Sequence, residues 1–206
     1  MQVEFYFDYV SPYSYLASTQ LLRLEQWGAE ILFKPVLLGG IQKILGSVPP
    51  IQQPGATRAS YMVQDLERWA ELYGVPFKLS AAFPMNTLLP LRATPWLQAQ
   101  GCFRSFFHLC FDAAWGEGLD IGQEEVLRGI VTRLGLDPEA FFQAARSAEN
   151  KQWLKEATEQ SIERGIFGVP TLFVGDEMYF GNDRLLFVNQ KLAALVHEEE
   201  QRRLRG

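Results

Sequence analysis

Phe5-Tyr6-Phe7-Asp8-Tyr9-Val10-Ser11-Pro12-Tyr13-Ser14-Tyr15 reads as a strand, a polar turn and a helix start in immediate succession. Val3, Phe5 and Phe7 alternate with Glu4, Tyr6 and Asp8, the period of a half-buried strand, and the aromatic Tyr6 predicts that the second face is partly covered too. Ser11-Pro12 then punctuates: Pro is favoured at the first helical position and Ser immediately before it is a strong N-cap. Leu16, Ala17, Leu21, Leu22 and Leu24 carry a helix onward from Tyr13 to about Trp27. A strand that delivers a hydroxyl to a helix start brings it to free N–H groups and the positive end of the helix dipole, which together favour an anion.

Ile31-Leu32-Phe33 supplies a second strand, so the first 36 residues form a βαβ unit with a right-handed crossover and a parallel pair. Residues 39–60, with Gly39-Gly40, Pro49-Pro50 and Pro54-Gly55, read as a long functional loop. A helical block follows: Tyr61 to Tyr73, a break at Phe83-Pro84-Met85-Asn86, one long helix from Pro90 to Phe111, Gln123 to Leu134, Pro138 to Ala148, and Lys151 to Arg164. Strands return at Thr171 to Val174 and Met178 to Phe180, joined by Gly175-Asp176-Glu177 as a hairpin. A last helix spans Leu186 to Val196, and the charged tail from Glu198 is expected to fray. The order is βαβ, a helical block, then ββα. That is an α/β chain of thioredoxin-like fold with an all-helical insertion between its halves. The expected division is residues 1–40 plus 165–206 for the thioredoxin-like part and 41–164 for the insertion.

The bulk properties narrow the function. Among the 206 residues, 48% are hydrophobic, 13% aromatic, and the net charge is −5. No basic patch interleaved with aromatics stands out, which argues against nucleic acid. No run of 18 apolar residues and no signal-like leader is present, so a cytoplasmic protein without a membrane span is expected. Cys102 and Cys110 lie eight residues apart in the expected long helix, about 12 Å along its axis, too far for a disulfide. Free thiols suit a reducing compartment. Two histidines and two separated cysteines make no zinc pattern, and there is no Gly-x-Ser-x-Gly.

Gly168-Val169-Pro170-Thr171 leads a proline straight into an apolar strand, an unusual place for it. Thioredoxin-like proteins set a cis-proline loop against the start of their first helix, where a Cys-x-x-Cys motif is usual. Here the four residues are Ser11-Pro12-Tyr13-Ser14, so no dithiol exists.

Taken in order, Phe7-Asp8-x-x-Ser11-Pro12-Tyr13-Ser14-Tyr15, Leu38-Gly39-Gly40-Ile41-x-Lys43, Asp65-Leu66-x-Arg68-Trp69, Tyr73-Gly74-Val75-Pro76, Phe83-Pro84-x-Asn86-Thr87, Gly165-x-Phe167-Gly168-Val169-Pro170-Thr171 and Phe180-Gly181-Asn182-Asp183-Arg184 resemble the 2-hydroxychromene-2-carboxylate isomerases, relatives of kappa-class glutathione transferases. The resemblance covers nearly the whole chain and implies an isomerase with bound glutathione, a cytoplasmic role in aromatic catabolism, and a homodimer. It implies that Ser11 is catalytic and holds the glutathione sulfur. Val169 before a cis Pro170 would pair with the tripeptide, and Asn182 and Asp183 would hold its γ-glutamyl end. Lys43 would meet the carboxylate of an aromatic substrate, with Ser47, Asn86 and Arg92 further substrate-side candidates. Ser47 is a departure, because the family often carries Asn after the glycine where Gly46-Ser47 stands here.

Plainer roles compete with these. Ser11 can be only an N-cap, Pro170 an ordinary trans turn residue, Lys43 a solvated loop charge, and Asp183 a cap of the last helix. The stripe Trp69, Trp96, Phe103, Phe106, Phe107, Phe111 and Trp115 reads mostly as core, and His108 as structural. Two other functions compete with the isomerase: a kappa-like transferase that conjugates glutathione to electrophiles, and a non-enzymatic thiol-binding module.

Overall fold

In a computed structural model that describes residues 1–47 and 56–205, strand β1 (Gln2–Phe7) lies at the centre of the structure. It pairs in parallel with β2 (Glu30–Pro35) and antiparallel with β3 (Thr171–Val174), which in turn pairs antiparallel with β4 (Glu177–Phe180). The sheet order is β2-β1-β3-β4. Register puts Phe33, Phe5 and Leu172 in one row and Lys34, Tyr6 and Thr171 in the next, so the alternation seen in β1 runs across the sheet. Val3, Phe5 and Phe7 are fully buried against helix α7 (Phe103–Phe111). The Phe7 ring meets Phe107 edge-on at 4.9 Å. Each such ring, fully buried, contributes about 1.5–3 kcal/mol. The opposite face, anticipated from Tyr6, carries a smaller cluster of Tyr6, Val36, Ile41, Ile166, Val169 and Phe173.

Several helices differ from the sequence reading. The first helix is two: α1 (Pro12–Ser18) and α2 (Leu21–Glu25). Ser18 and Thr19 donate their hydroxyls to the Tyr15 and Leu16 carbonyls at 2.7 Å each, and such local bonds compete with helix continuation. Residues 39–60 are not all loop. Helix α3 (Leu38–Leu45) occupies the start of that stretch and α4 (Ala56–Tyr73) its end; Pro49-Pro50 and Pro54-Gly55 fall outside the described residues. The single helix expected from Pro90 to Phe111 is α5 (Leu88–Arg92), α6 (Thr94–Ala99) and α7. Pro95 sits in the first turn of α6, and Gly101, at φ +67°, closes α6 in a conformation that favours glycine. Cys102 therefore precedes α7 and Cys110 lies within it; both are free thiols, and burial pushes the Cys110 thiol well up.

Beyond α7, a π turn (Asp112–Gly116) is followed by α8 (Glu124–Arg133), α9 (Pro138–Arg146) and α10 (Ala148–Glu163). Asp137 and Ser147 cap α9 and α10 with their side chains. The charged tail does not fray: α11 runs Leu185–Arg205, past His197. The pairs Glu198–Arg202 and Glu199–Arg203, four residues apart at 3.5 and 2.5 Å, support its last turns. No helix among the described residues is long and apolar enough to cross a membrane.

Candidate active site

The turn between β1 and α1 holds itself closed. Ser11 N–H donates to the Asp8 carbonyl at 3.0 Å and Val10 N–H to Asp8 Oδ1 at 3.1 Å. The π turn after α7 buries Trp115, whose indole N–H donates to the Tyr9 carbonyl at 2.8 Å and whose ring stacks on Phe77. The turn thus rests on an aromatic floor, and its exit delivers Ser11 to the start of α1.

Ser11 is 4% exposed, so its oxygen reaches only the edge of solvent. Its Oγ accepts from Ser14 N–H at 3.1 Å, the N-cap bond anticipated from Ser-Pro, and donates to the Val169 carbonyl at 3.2 Å. A hydroxyl donor usually sits nearer 2.7–2.8 Å from its acceptor, so the Ser11 proton is loosely held. The Val169–Pro170 peptide is cis, as the sequence order implied; Phe83–Pro84 is a second cis bond, which nothing in the sequence reading anticipated. At the start of α1, Pro12 has no N–H, Ser14 N–H is taken by Ser11 Oγ and Tyr15 N–H by the Ser11 carbonyl. Among the described residues that leaves the Tyr13 N–H unpaired at this helix start, beside the Ser11 hydroxyl that donates to the Val169 carbonyl. Ser14, where a second cysteine would stand, is fully buried with a hydroxyl that has no partner among the described residues.

Asn182 and Asp183 lie in a 3₁₀ turn (Asn182–Arg184) against α1. Asn182 is buried, its carbonyl accepts from the Tyr73 hydroxyl at 3.4 Å, and its side-chain Nδ2 has no partner among the described residues. Asp183 is exposed and paired with Arg184. A Cβ on Gly181, at φ +99°, would lie 2.6 Å from the Asp183 carboxylate, so the turn admits only glycine there. Tyr13 donates to Asp65 at 3.1 Å, and burial, then Asp65, pushes its phenol up. Tyr13 and Tyr73 thus tie α4 to the two sides of this corner.

The substrate-side candidates are placed differently. Lys43 is exposed in the last turn of α3 and makes no ion pair among the described residues. Ser47 follows the closing Gly46, is exposed, and donates its N–H to the Gln42 carbonyl at 3.0 Å. Asn86 is exposed, with Oδ1 accepting from Leu88 N–H at 3.0 Å within its own turn. Arg92 is half-buried at the end of α5, its Nε without a partner, and no bond joins it to the Ser11 group among the described residues.

The sequence reading quoted Asp8 only as part of a motif and gave Thr87 no role, yet Asp8 is the side chain that joins these parts. Fully buried, it accepts from Leu38 N–H at 2.8 Å, Thr87 Oγ1 at 2.7 Å and Val10 N–H. Desolvation pushes its carboxyl up to about 6, and the three hydrogen bonds pull the other way. A carboxylate continuing an apolar strand into a turn was the available signal.

The DSBA-like thioredoxin domain family matches residues 2–193. A 2-hydroxychromene-2-carboxylate isomerase of Pseudomonas putida is 34% identical over 199 residues, 96% of this chain and 97% of that protein. Glutathione s-transferase kappa 2 of Caenorhabditis elegans is 28% identical over 216 residues, 93% of this chain and 91% of that one. The solved structure of a selenomethionine 2-hydroxychromene-2-carboxylate isomerase superposes with a TM-score of 0.90 at 34% identity, covering 98% of each chain. The chain belongs to the DSBA-like thioredoxin domain family and, within it, to the 2-hydroxychromene-2-carboxylate isomerase family, with kappa-class glutathione transferases as more distant relatives.

Proposed function

We propose that this isomerase acts on 2-hydroxychromene-2-carboxylate or a similar aromatic carboxylate, with glutathione as the thiol cofactor. The observation that carries the reading is the Ser11 hydroxyl, 3.2 Å from the Val169 carbonyl beside a cis proline and at a helix start. The residues fit a thiol tripeptide. The Asn182 Nδ2, unpartnered among the described residues, would offer a buried donor, Val169 its backbone beside the cis proline, and the exposed Asp183 negative charge to an ammonium. When bound, glutathione would supply a thiolate able to add reversibly to a conjugated double bond and so permit rotation about it.

The protein's own part is to orient and to stabilise charge. Ser11 would turn its loosely held proton from the Val169 carbonyl toward the sulfur. Tyr13 N–H would add a second donor, and the pair would favour thiolate over thiol, as helix starts do generally. Lys43, which makes no ion pair among the described residues, would receive the substrate carboxylate. Asn86 and Ser47, both exposed, would be further substrate-side groups, and Arg92 would offer a further cation. The kinship to a protein named as a glutathione transferase supports glutathione over other thiols.

A homodimer, a cytoplasmic location and a role in aromatic catabolism belong to the same reading; sedimentation at micromolar concentration tests the dimer. The decisive experiment is thermal shift with glutathione followed by turnover of the chromene carboxylate. Stabilisation and glutathione-dependent turnover are expected. Turnover independent of any thiol would overturn the cofactor assignment, and no turnover with glutathione bound would overturn the substrate.

A further inference from the structure

We propose that Asp8 is a positioning residue that sets where the substrate-side residues stand relative to Ser11. Helix α3 cannot cap itself, because its N-cap residue is Leu37, which has no side-chain acceptor. The acceptors come from elsewhere: Leu37 N–H donates to Thr158 Oγ1 at 3.0 Å, and Leu38 N–H to Asp8 Oδ2 at 2.8 Å. The other oxygen of the same carboxylate accepts from Val10 N–H, at 3.1 Å, and Thr87 Oγ1, at 2.7 Å. Three chain segments meet on one group: the turn that ends at Ser11, the helix that carries Lys43, and the turn that carries Asn86. The ionisable groups that feel Asp8 are the buried Tyr9 and Cys110, which burial keeps uncharged. Among the described residues no cation pairs with the carboxylate, and its partners are the three donors.

A buried charge without a cation costs stability. What three donors on one carboxylate achieve is a fixed spacing between the turn that leads to Ser11 and the two segments that carry Lys43 and Asn86. The inference rests on the proposed division of the site into a thiol side and a substrate side. Asp8 holds the turn that leads to Ser11, but the proposed grip on the tripeptide lies on Val169 and Asn182, to which no hydrogen bond joins it. Loss of Asp8 should therefore disturb the spacing between Ser11 and the substrate side and spare glutathione affinity, whereas a merely structural residue would weaken both together.

The experiment uses Asp8→Asn, Thr87→Val and Thr87→Ser in the full chain. Amide exchange without ligands comes first. In Asp8→Asn the Leu38 N–H should exchange faster than in wild type, relative to the β1 amides as an internal standard, with Thr87→Val intermediate and Thr87→Ser near wild type. Kinetics come second. Asp8→Asn should lower kcat/KM for the chromene carboxylate roughly tenfold to a hundredfold, as small misplacements do, with glutathione affinity within about threefold. If Asp8→Asn does not fold, Thr87→Val decides, because it removes one donor and leaves the carboxylate. Unchanged Leu38 exchange in a folded variant, or equal loss of glutathione and substrate binding, would overturn the proposal. If wild type turns over no chromene carboxylate, the substrate reading fails and the exchange result alone decides the role of Asp8.

Discussion

The corner around Ser11 and the tier that carries Lys43 are built in opposite ways. At the corner, backbone geometry does most of the work: an N-cap bond, a self-closed turn and a cis-proline loop, all buried. At the tier the groups are long or exposed side chains on α3 and the Asn86 turn, with few partners. Groups fixed by main-chain bonds lose little entropy when a ligand arrives; exposed side chains must be ordered by it. On the proposed reading, the corner would take a constant cofactor and the Lys43 side a substrate whose shape can vary.

Ser11→Ala tests the corner most severely. Turnover should fall about 10²–10³-fold, the usual loss when one donor to a developing anion is removed. The missing N-cap should cost only about 1 kcal/mol of stability, and glutathione affinity should stay nearly intact. Near wild-type turnover would show that Ser11 is an N-cap and nothing more.

Separating the two regions needs a matched pair. Lys43→Ala should raise KM for the carboxylate roughly tenfold or more, the scale of one charge-assisted hydrogen bond, and leave glutathione Kd unchanged. Asn182→Ala should do the reverse, weakening glutathione several-fold with little effect on KM for the carboxylate. If each variant moved both constants equally, the two regions would be one cooperative unit.

A pH titration sharpens the role of their common anchor. The Asp8 carboxyl stands at about 6 in the folded protein against an ordinary 3.8. Between those values the folded state binds a proton that the unfolded chain does not. The contribution of Asp8 to stability therefore falls as pH rises from about 4 to about 6 and is flat above that. Urea unfolding across pH 4–7 should show this component in wild type and lose it in Asp8→Asn. The smallest effect belongs to Tyr13→Phe, which removes the bond to Asp65: about 1 kcal/mol in urea unfolding, with kcat changed by less than about threefold.

What could be read from the sequence divides along the same line. β1, the Ser11-Pro12 helix start, the proline-led β3 and its hairpin announce themselves within a few neighbouring residues, and the structure has them where the pattern put them. Helix α3 went unread because both acceptors at its N-terminus come from afar, from Asp8 and Thr158. The breaks inside the first helix and the Pro90–Phe111 stretch went unread because periodicity hides short stops: two hydroxyls turning back on the chain and one glycine. The residues expected on the thiol side could be named at all because they sit in order-dependent motifs. The meeting of Asp8 with Thr87 was not, because a 79-residue separation leaves no local trace.

Pro12 and Pro170 occupy two of the backbone positions nearest Ser11, and neither has an N–H. Phosphate or sulfate gives up a tight hydration shell on entering a buried corner and needs many donors to replace it. The Ser11 hydroxyl and Tyr13 N–H are too few. A thiolate, large, polarisable and weakly hydrated, needs little more than those two. On the proposed reading, a corner from which two prolines withhold donors would favour the anion that holds its water least firmly.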